Sequence, residues 1–270
     1  MQVFFIEENQ RNFIKKFFNV INVENDKIII NGYYKEMKLK RKIKIVKKIK
    51  EILVNNDVNT IIVSNNLKQD SEIINLFYSN GLNIINGKIL FKMLVNKYIY
   101  LLCKNNNILM QENKIAITVN FPNSFTINCI QKLAKEFKMV NVVTSNIDRF
   151  KNLKEKMWND YGIIITLTNN RKKALASADI ILNVDFPEEI INQYQVFEKS
   201  IIINLDENIK IKKKRFEGKI INDYEIYIKP ETEIYDVINE EKYKNFDIKD
   251  LCEIYVLNNK KEIENINVKI

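Results

Sequence analysis

Hydrophobic and polar positions alternate most regularly in the second half of the chain. Short runs that are almost entirely apolar, such as KIAITV (114–119) and IIITL (163–167), are separated by longer stretches in which apolar residues recur every three or four positions, as in TINCIQKLAKEFK (126–138). The first pattern is typical of buried β-strands and the second of amphipathic helices. Strands that are apolar on both faces indicate a parallel sheet covered by helices on both sides. The pattern therefore predicts an α/β protein with a Rossmann-like parallel sheet.

The predicted strands of this sheet are 114–119, 140–145, 163–167, 179–184 and 200–206. The predicted helices between them are 126–138, 148–162, 171–178 and 187–199. Residues that favour helix ends support two of these helices. Asp148 and Gly162 would begin and end the second helix, and Asp185 with Pro187 would begin the last one.

The first half of the chain also mixes strands and helices, but less regularly. QVFFIE, NTIIVS and LNIIN are predicted strands, and 71–81 and 87–106 are predicted helices. The polar stretch NNNILMQEN indicates a boundary near residue 110. The sequence thus predicts a smaller N-terminal α/β domain (1–110), the Rossmann-like domain (111–206) and a C-terminal segment (207–270) that packs back on both.

The composition excludes several kinds of site. The chain of 270 residues contains no histidine, which removes the commonest general base and the commonest transition-metal ligand. Its three cysteines are widely spaced and odd in number, so they predict neither a disulfide framework nor a zinc site. Adjacent acids, as in DFPEE (185–189), lie at predicted element ends, where helix N-termini favour them. We therefore expect no metal site.

The distribution of apolar residues also bears on location. No apolar run approaches the roughly 20 residues that cross a bilayer. Acidic residues follow the short apolar run near the N-terminus, which does not fit a signal peptide. We expect a cytoplasmic protein without a membrane span.

The formal net charge of +9 is concentrated in part between Lys35 and Lys50. From Lys42 onward this stretch has the spacing of a helix whose aliphatic residues face the core and whose lysines face water. Three interpretations are open: a solvated helix face, a nucleic-acid site whose affinity falls with salt, and a surface for an acidic protein or a membrane. A second basic cluster, KIKKKR (210–215), could act with it. Coding DNA rich in A and T would produce the same excess of lysine without any function.

The stretch 140–185 resembles the cofactor domain of the shikimate dehydrogenase and glutamyl-tRNA reductase group. TSNIDR lies over the Asn-Arg-Thr-x-x-Arg motif of that group. Arg149 matches the final arginine, and Ser145 takes the place of the first arginine, which in the group binds the 2′-phosphate of NADP. The resemblance implies a Rossmann domain and an NAD(P)-dependent oxidoreductase.

The resemblance extends to the first half of the chain. VSNNLK (63–68) lies over Val-Thr-x-Pro-x-Lys, and this places Lys68 at the catalytic lysine of the group. IING (84–87) lies over Asn-Thr-Asp-Gly, with Asn86 at the catalytic aspartate. The Ser-x-Ser motif that binds the substrate carboxylate has no match in IEENQRNF. Asn86 cannot ionise, so Lys68 would be a poor base at neutral pH.

The loop after the first Rossmann strand, VNFPNSFT (119–126), contains no glycine. In a dinucleotide-binding domain, a glycine-rich loop at this place leaves room for the pyrophosphate. Here two aromatic rings and a proline would occupy that space, and Pro122 has no N–H to donate. Ser124 or Thr126 could cap the next helix, whose N-terminus could attract an anion. A capped turn without ligand, a site for a different anion and a bound dinucleotide are the alternatives. In the last, Ser124, Thr126, Ser145 and Arg149 would contact the cofactor.

These observations lead to one main functional hypothesis and two alternatives. The main hypothesis is a degenerate Rossmann-like protein without cofactor or catalysis, which binds a protein partner or a second copy of itself. The first alternative is an NAD(P)-dependent oxidoreductase with a divergent cofactor loop. The second is a basic nucleic-acid-binding protein that uses Lys35 to Lys50.

Overall fold

The structure is a computed structural model that describes residues 2–9, 20–33 and 35–269. The segment compared with the Ser-x-Ser motif runs past residue 9 and lies partly outside the described residues. The chain forms two compact units, and the division falls within a long helix. The N-terminal unit comprises Met1–Leu90 and Ile228–Ile266, and the second unit comprises Phe91–Tyr227 and Asn267–Ile270.

The strands are β1 Phe4–Asn9, β2 Ile21–Glu24, β3 Lys27–Asn31, β4 Thr60–Val63, β5 Asn83–Ile84, β6 Lys114–Thr118, β7 Met139–Val143, β8 Thr166–Thr168, β9 Ile180–Asn183, β10 Ile201–Asn204, β11 Lys219–Ile221, β12 Glu225–Ile228 and β13 Ile266–Lys269. The α-helices are α1 Leu39–Asn55, α2 Asn65–Lys68, α3 Ser71–Ser79, α4 Lys88–Asn105, α5 Ser124–Glu136, α6 Lys151–Tyr161, α7 Arg171–Ala176, α8 Glu188–Gln193, α9 Glu233–Ile238 and α10 Ile248–Asn258. Among the described parts of the chain, no helix combines the length and apolar character that a bilayer span requires.

The sheet of the N-terminal unit has the strand order β2-β3-β1-β4-β5. Its strands are parallel except β2, which forms a hairpin with β3. Asn25, at the hairpin turn, has a positive φ of 53°, a conformation that asparagine tolerates better than most residues. The sequence pattern did not predict this hairpin, because one of its strands is largely polar and exposed.

The sheet of the second unit is parallel throughout, with the order β11-β10-β9-β6-β7-β8. Read from β8, the strands follow the sequence order 3-2-1-4-5-6, which is the order of doubly wound sheets. The predicted mixed α/β class with parallel strands is confirmed. The pattern located the first five strands, and β11 is an additional strand that it did not predict.

Helix α6 ends where the sequence predicts but begins differently. Gly162 adopts a left-handed conformation with φ of 66° and closes the helix, and the next amide, that of Ile163, donates to the carbonyl of Met157. Ile163 was predicted to begin the strand 163–167, but it takes part in the end of the helix. As a result β8 begins at Thr166. The prediction that Asp148 caps the helix is wrong: Asp148 pairs with Lys151 at 2.5 Å instead.

The lysines of α1 do not all face water, which corrects the predicted arrangement. Lys42 is only 1% exposed and lies on the same buried face as the aliphatic residues of the helix. Its Nζ donates to Asp70 at 2.6 Å and to Glu72 at 2.7 Å. Tyr33 also donates to the Asp70 carboxylate. The basic stretch therefore contributes one of its charges to the interior of the N-terminal unit.

Candidate functional site

A chain of buried amide groups joins the carboxyl ends of β6, β9 and β10. Thr118 Oγ1 donates to Asn183 Oδ1 at 2.6 Å, and Asn183 Nδ2 donates to Asn204 Oδ1 at 2.8 Å. Asn183 also holds the loop after β9, because its Nδ2 donates to the Phe186 carbonyl and its Oδ1 accepts from the Phe186 amide. Asn204 Nδ2 donates to Asn222 at 3.0 Å and to the Glu207 carbonyl at 2.7 Å. These bonds fix the loops that follow the strands.

Asp185 follows β9 and lies at the point where the strand order reverses. Its carboxylate accepts hydrogen bonds from the amide of Asn120, at 2.8 and 2.9 Å. The prediction that Asp185 helps to begin α8 is wrong, since Pro187 is the residue at that helix start. In doubly wound sheets, ligands bind at this reversal point.

The loop amide of Asn120, after β6, is thus occupied by a carboxylate of the protein itself. A pyrophosphate would have to displace Asp185 and would meet its negative charge. The residues present do not fit a nicotinamide dinucleotide, in agreement with the expectation of no cofactor drawn from the glycine-free loop.

Burial raises the pKa of Asp185 above its ordinary value. The amides of Asn120 and Phe121 and the charge of Lys92 oppose this rise, and the nearby Asp206 adds to it. A partly buried carboxyl group with a raised pKa, beside a cavity, is a candidate acid or base.

A cavity of about 270 Å³ opens beside Asp185, and we call it the acidic pocket. Its lining residues are Asp185, Phe186, Pro187, Glu188, Glu189, Asp206, Glu207, Asn208 and Ile209. Lys212 pairs with Glu188 at 2.6 Å and offsets one of these five acids. A concentration of negative charge in a chain of formal charge +9 favours a cationic ligand.

The carboxylates of the pocket do not converge on one point. Among residues 2–9, 20–33 and 35–269, no group of three or more acids or cysteines is placed to hold a metal ion. The sequence analysis interpreted the acids of DFPEE as residues that favour a helix end, and it did not predict the pocket. The position of Asp185 directly after a buried strand could have indicated a site there.

Two arginines lie on the neighbouring side of the strand ends. The Nη2 of Arg171 donates to Ser145 Oγ at 2.6 Å, and its guanidinium lies 5.1 Å from the ring centre of Phe186. Arg149 lies over the ring of Phe121 at 5.2 Å. A guanidinium thus contacts Ser145, but it belongs to the first residue of α7 and not to the motif itself.

The other residues predicted to contact a cofactor lie at the start of α5. Ser124 is exposed at the first position of the helix, and Thr126 is buried. Asn123 is the residue that caps this helix, since its Oδ1 accepts from the amide of Thr126 at 2.8 Å. The prediction that Ser124 or Thr126 provides the cap is therefore wrong.

The two predicted catalytic residues do not act on each other. Asn86 is exposed, and its Oδ1 accepts from the amide of Lys88. Lys68 donates instead to Asp250, which is supplied by α10 and is only 1% exposed. The side chain of Lys68 remains 26% exposed. The lysine thus has an acidic partner after all, from a part of the chain that sequence comparison did not connect with it.

Asp250 gives the N-terminal unit a testable pH dependence. Burial raises the pKa of Asp250 from 3.8 to about 7, although the charge of Lys68 opposes the rise. The folded state therefore holds an extra proton between these pH values, and the stability contributed by this group is lost as the pH rises from about 4 to about 7. We expect Asp250→Asn to gain stability relative to the unchanged protein across that window, by a few kcal/mol at most.

The measurement is the melting temperature of both proteins from pH 4 to 8. Asp236→Asn, at an exposed position on α9, is the control and should keep a constant difference from the unchanged protein. A pH-independent difference for Asp250→Asn would contradict the expectation.

Comparison with known proteins gives only distant structural matches. No family model matches the chain, and no curated protein matches its sequence. An N-acetyl-L-ornithine transcarbamylase is 11% identical, with 96% of this chain and 76% of that chain covered and a TM-score of 0.32. The ornithine carbamoyltransferase of Pyrococcus furiosus is 12% identical, with 86% and 75% covered and a TM-score of 0.33.

An L-tryptophan dehydrogenase from Nostoc punctiforme is 11% identical, with 65% of this chain covered and a TM-score of 0.32. This chain spans about half of that enzyme, 49% of its length. At TM-scores near 0.3, these matches carry no argument for a particular activity in this chain.

The matches nevertheless correct the family prediction. They are mainly carbamoyltransferases, so the predicted membership of the shikimate dehydrogenase and glutamyl-tRNA reductase group is wrong. The hypotheses of a non-catalytic partner, of an NAD(P)-dependent oxidoreductase and of a nucleic-acid-binding protein are corrected with it, because the matched structures are mainly carbamoyltransferases. A second copy of the chain as partner stays a prediction.

Proposed function

We propose that the protein is an enzyme that acts on the amino group of a small molecule bound in the acidic pocket. The observation that carries the proposal is the position of Asp185. It lies at the reversal point of a doubly wound sheet, it lines the pocket, and the amide of Asn120 holds its carboxylate. The other acids of the pocket supply the negative charge that attracts an ammonium group.

Asp185 is proposed as the general base. An ammonium ion that contacts the carboxylate can transfer one proton to it, so that an N–H bond breaks and an O–H bond forms. The amine then has a free lone pair and is a nucleophile. Burial raises the pKa of Asp185, which makes it a stronger base than an exposed aspartate. The amide of Asn120 occupies part of the carboxylate, which leaves acceptor sites for a ligand.

The size of the pocket limits the substrate. A volume of about 270 Å³ lies just below the range of roughly 300–1,000 Å³ found for drug-sized ligands. A linear or compact amine of metabolite size fits this space, and a nucleotide does not. The buried Phe186 forms one apolar part of the wall, against which the carbon chain of an amine can lie.

Calorimetric titration with 1,4-diaminobutane and with the matched diol, 1,4-butanediol, tests the binding step. We expect the diamine to bind and the diol not to bind. Asp185→Asn should weaken diamine binding by roughly ten- to a hundredfold, the range for a hydrogen bond to a charged group. Affinity should also fall as the pH drops below the raised pKa of Asp185, because the protonated carboxyl group carries no charge.

Glu217→Gln is the matched control, since Glu217 is exposed and does not line the pocket. Circular dichroism establishes that each variant is folded. Equal binding of diamine and diol, or unchanged affinity in Asp185→Asn, would refute the proposal.

A further inference from the structure

A second cavity, of about 480 Å³, lies within the second unit and shares no residue with the acidic pocket. We call it the mixed-charge cavity. Its lining residues are Tyr98, Lys219, Asp223, Tyr224, Glu225 and Lys269. Its volume falls within the range of roughly 300–1,000 Å³ that is found for small-molecule sites. The cavity is therefore large enough for a metabolite.

Two buried tyrosines of the lining are held in place by the ring of Phe91. This ring stacks on the ring of Tyr224 with the ring centres 4.4 Å apart, and it meets the ring of Tyr98 edge-on at 5.5 Å. Phe91 and Tyr98 lie on one face of α4, two turns apart. All three rings are buried, so packing fixes the place of both tyrosines in the cavity wall.

Tyr98 has no hydrogen-bond partner within the described parts of the chain, although it is only 5% exposed. Burial alone raises the pKa of Tyr98, and neither a hydrogen bond nor a neighbouring charge contributes to that rise. Leaving a buried hydroxyl without a partner is unfavourable, and most such groups in proteins are satisfied by a neighbour, water or a ligand. The hydroxyl of Tyr98 therefore indicates a ligand atom that accepts its proton in a hydrogen bond.

Charged groups of both signs line the cavity without neutralising one another. Lys219, Glu225 and Lys269 are exposed, and none of them forms an ion pair with any residue that the structure describes. Opposite charges that line one cavity and do not pair are separated by its open space. A molecule that carries both a carboxylate and an ammonium group can contact both signs, whereas a ligand of one sign would be repelled by one of them.

We propose that the mixed-charge cavity binds a small zwitterion, such as an α-amino acid. The ligand carboxylate lies at Lys219 and Lys269, and the ligand ammonium group lies at Glu225. The Tyr98 hydroxyl donates to the carboxylate, which is a stronger acceptor than a neutral oxygen. The proposal uses no residue of the acidic pocket and no step of the amine chemistry, so it stands apart from the proposed function.

Three probes that differ by one charge at a time test the proposal. L-leucine carries both charges, L-leucinamide lacks the carboxylate, and N-acetyl-L-leucine lacks the ammonium group. Calorimetric titration measures the affinity of each. We expect L-leucine to bind roughly tenfold more tightly than L-leucinamide, because a hydrogen bond to a charged group is lost in the amide. The advantage over N-acetyl-L-leucine should be roughly two- to fivefold, as one exposed charge contact allows.

Three variants assign each contact. Tyr98→Phe should weaken L-leucine binding by roughly tenfold, because the carboxylate loses a hydrogen bond. Lys219→Gln should weaken the two probes that have a carboxylate and spare L-leucinamide. Glu225→Gln should weaken the two probes that have an ammonium group and spare N-acetyl-L-leucine. The matched controls are Tyr227→Phe and Lys214→Gln, at exposed positions outside the cavity, and circular dichroism establishes that every variant is folded.

Asp185→Asn separates this proposal from the proposed function. It changes the acidic pocket only, so L-leucine should bind to this variant as it binds to the unchanged protein. Loss of L-leucine binding in Asp185→Asn would overturn the proposal, because the zwitterion would then occupy the acidic pocket. Equal affinity of the three probes, no binding of L-leucine at millimolar concentration, or unchanged affinity for L-leucine in Tyr98→Phe would also overturn it.

Discussion

Replacing Lys42 with alanine is expected to lower the free energy of unfolding by about 3–5 kcal/mol, the cost of removing one partner of a buried ion pair. Lys42 is buried and contacts the carboxylates of Asp70 and Glu72 at 2.6 and 2.7 Å. Asp70 is buried as well, so its charge would lose its main partner. Burial alone would raise the pKa of Asp70, but the hydrogen bonds from Lys42 and Tyr33 hold it below its ordinary value.

Urea unfolding followed by far-UV circular dichroism measures this loss. Lys47→Ala and Lys48→Ala, at exposed positions of α1, should change stability by no more than about 0.5 kcal/mol. The double variant Lys42→Met with Asp70→Asn should regain part of the loss, because it buries no unpaired charge. A Lys42→Ala protein as stable as Lys47→Ala would show that the ion pairs do not contribute to stability.

Asn183→Asp is expected to destabilise the protein by about 3 kcal/mol at neutral pH, with no change in side-chain size. Asn183 Nδ2 donates to the Phe186 carbonyl and to Asn204 Oδ1, both at 2.8 Å. An aspartate oxygen at that position would face two acceptors in a buried environment. The new carboxyl group would have a raised pKa, so the loss should diminish as the pH falls and the group takes up a proton.

The same urea experiment at pH 5 and pH 8 measures this effect. Asn152→Asp is the control, since Asn152 is exposed in the first turn of α6, where a negative charge is tolerated. The amide chain also holds the loop that carries Asp185, so Asn183→Asp should weaken diamine binding in parallel. Equal stability of the two variants at both pH values would contradict the structural role of the amide chain.

The candidate site was accessible to sequence reasoning only in part. The absence of glycine in 120–126 predicted that the loop does not bind a pyrophosphate. This could be predicted from sequence because a phosphate-binding loop needs glycine at positions within the loop itself. The partner that fills this position, Asp185, lies 65 residues from Asn120 and could not be read from the loop. The family motif suggested Asn86 as the partner of Lys68, whereas the structure supplies Asp250, 182 residues away from Lys68.

The sequence by itself determined the properties that depend on neighbouring residues. Apolar periodicity located β6 to β10 and the larger helices of the second unit, and Gly162 marked the end of α6 because a left-handed residue is required there. Only the tertiary structure decided which polar groups meet. Lys42 follows the periodicity of a buried face, yet a lysine can occupy that face only because Asp70 and Glu72 lie opposite it. Charge pairs and cavities form between elements distant in the chain, and their energies depend on distances that local sequence patterns do not specify.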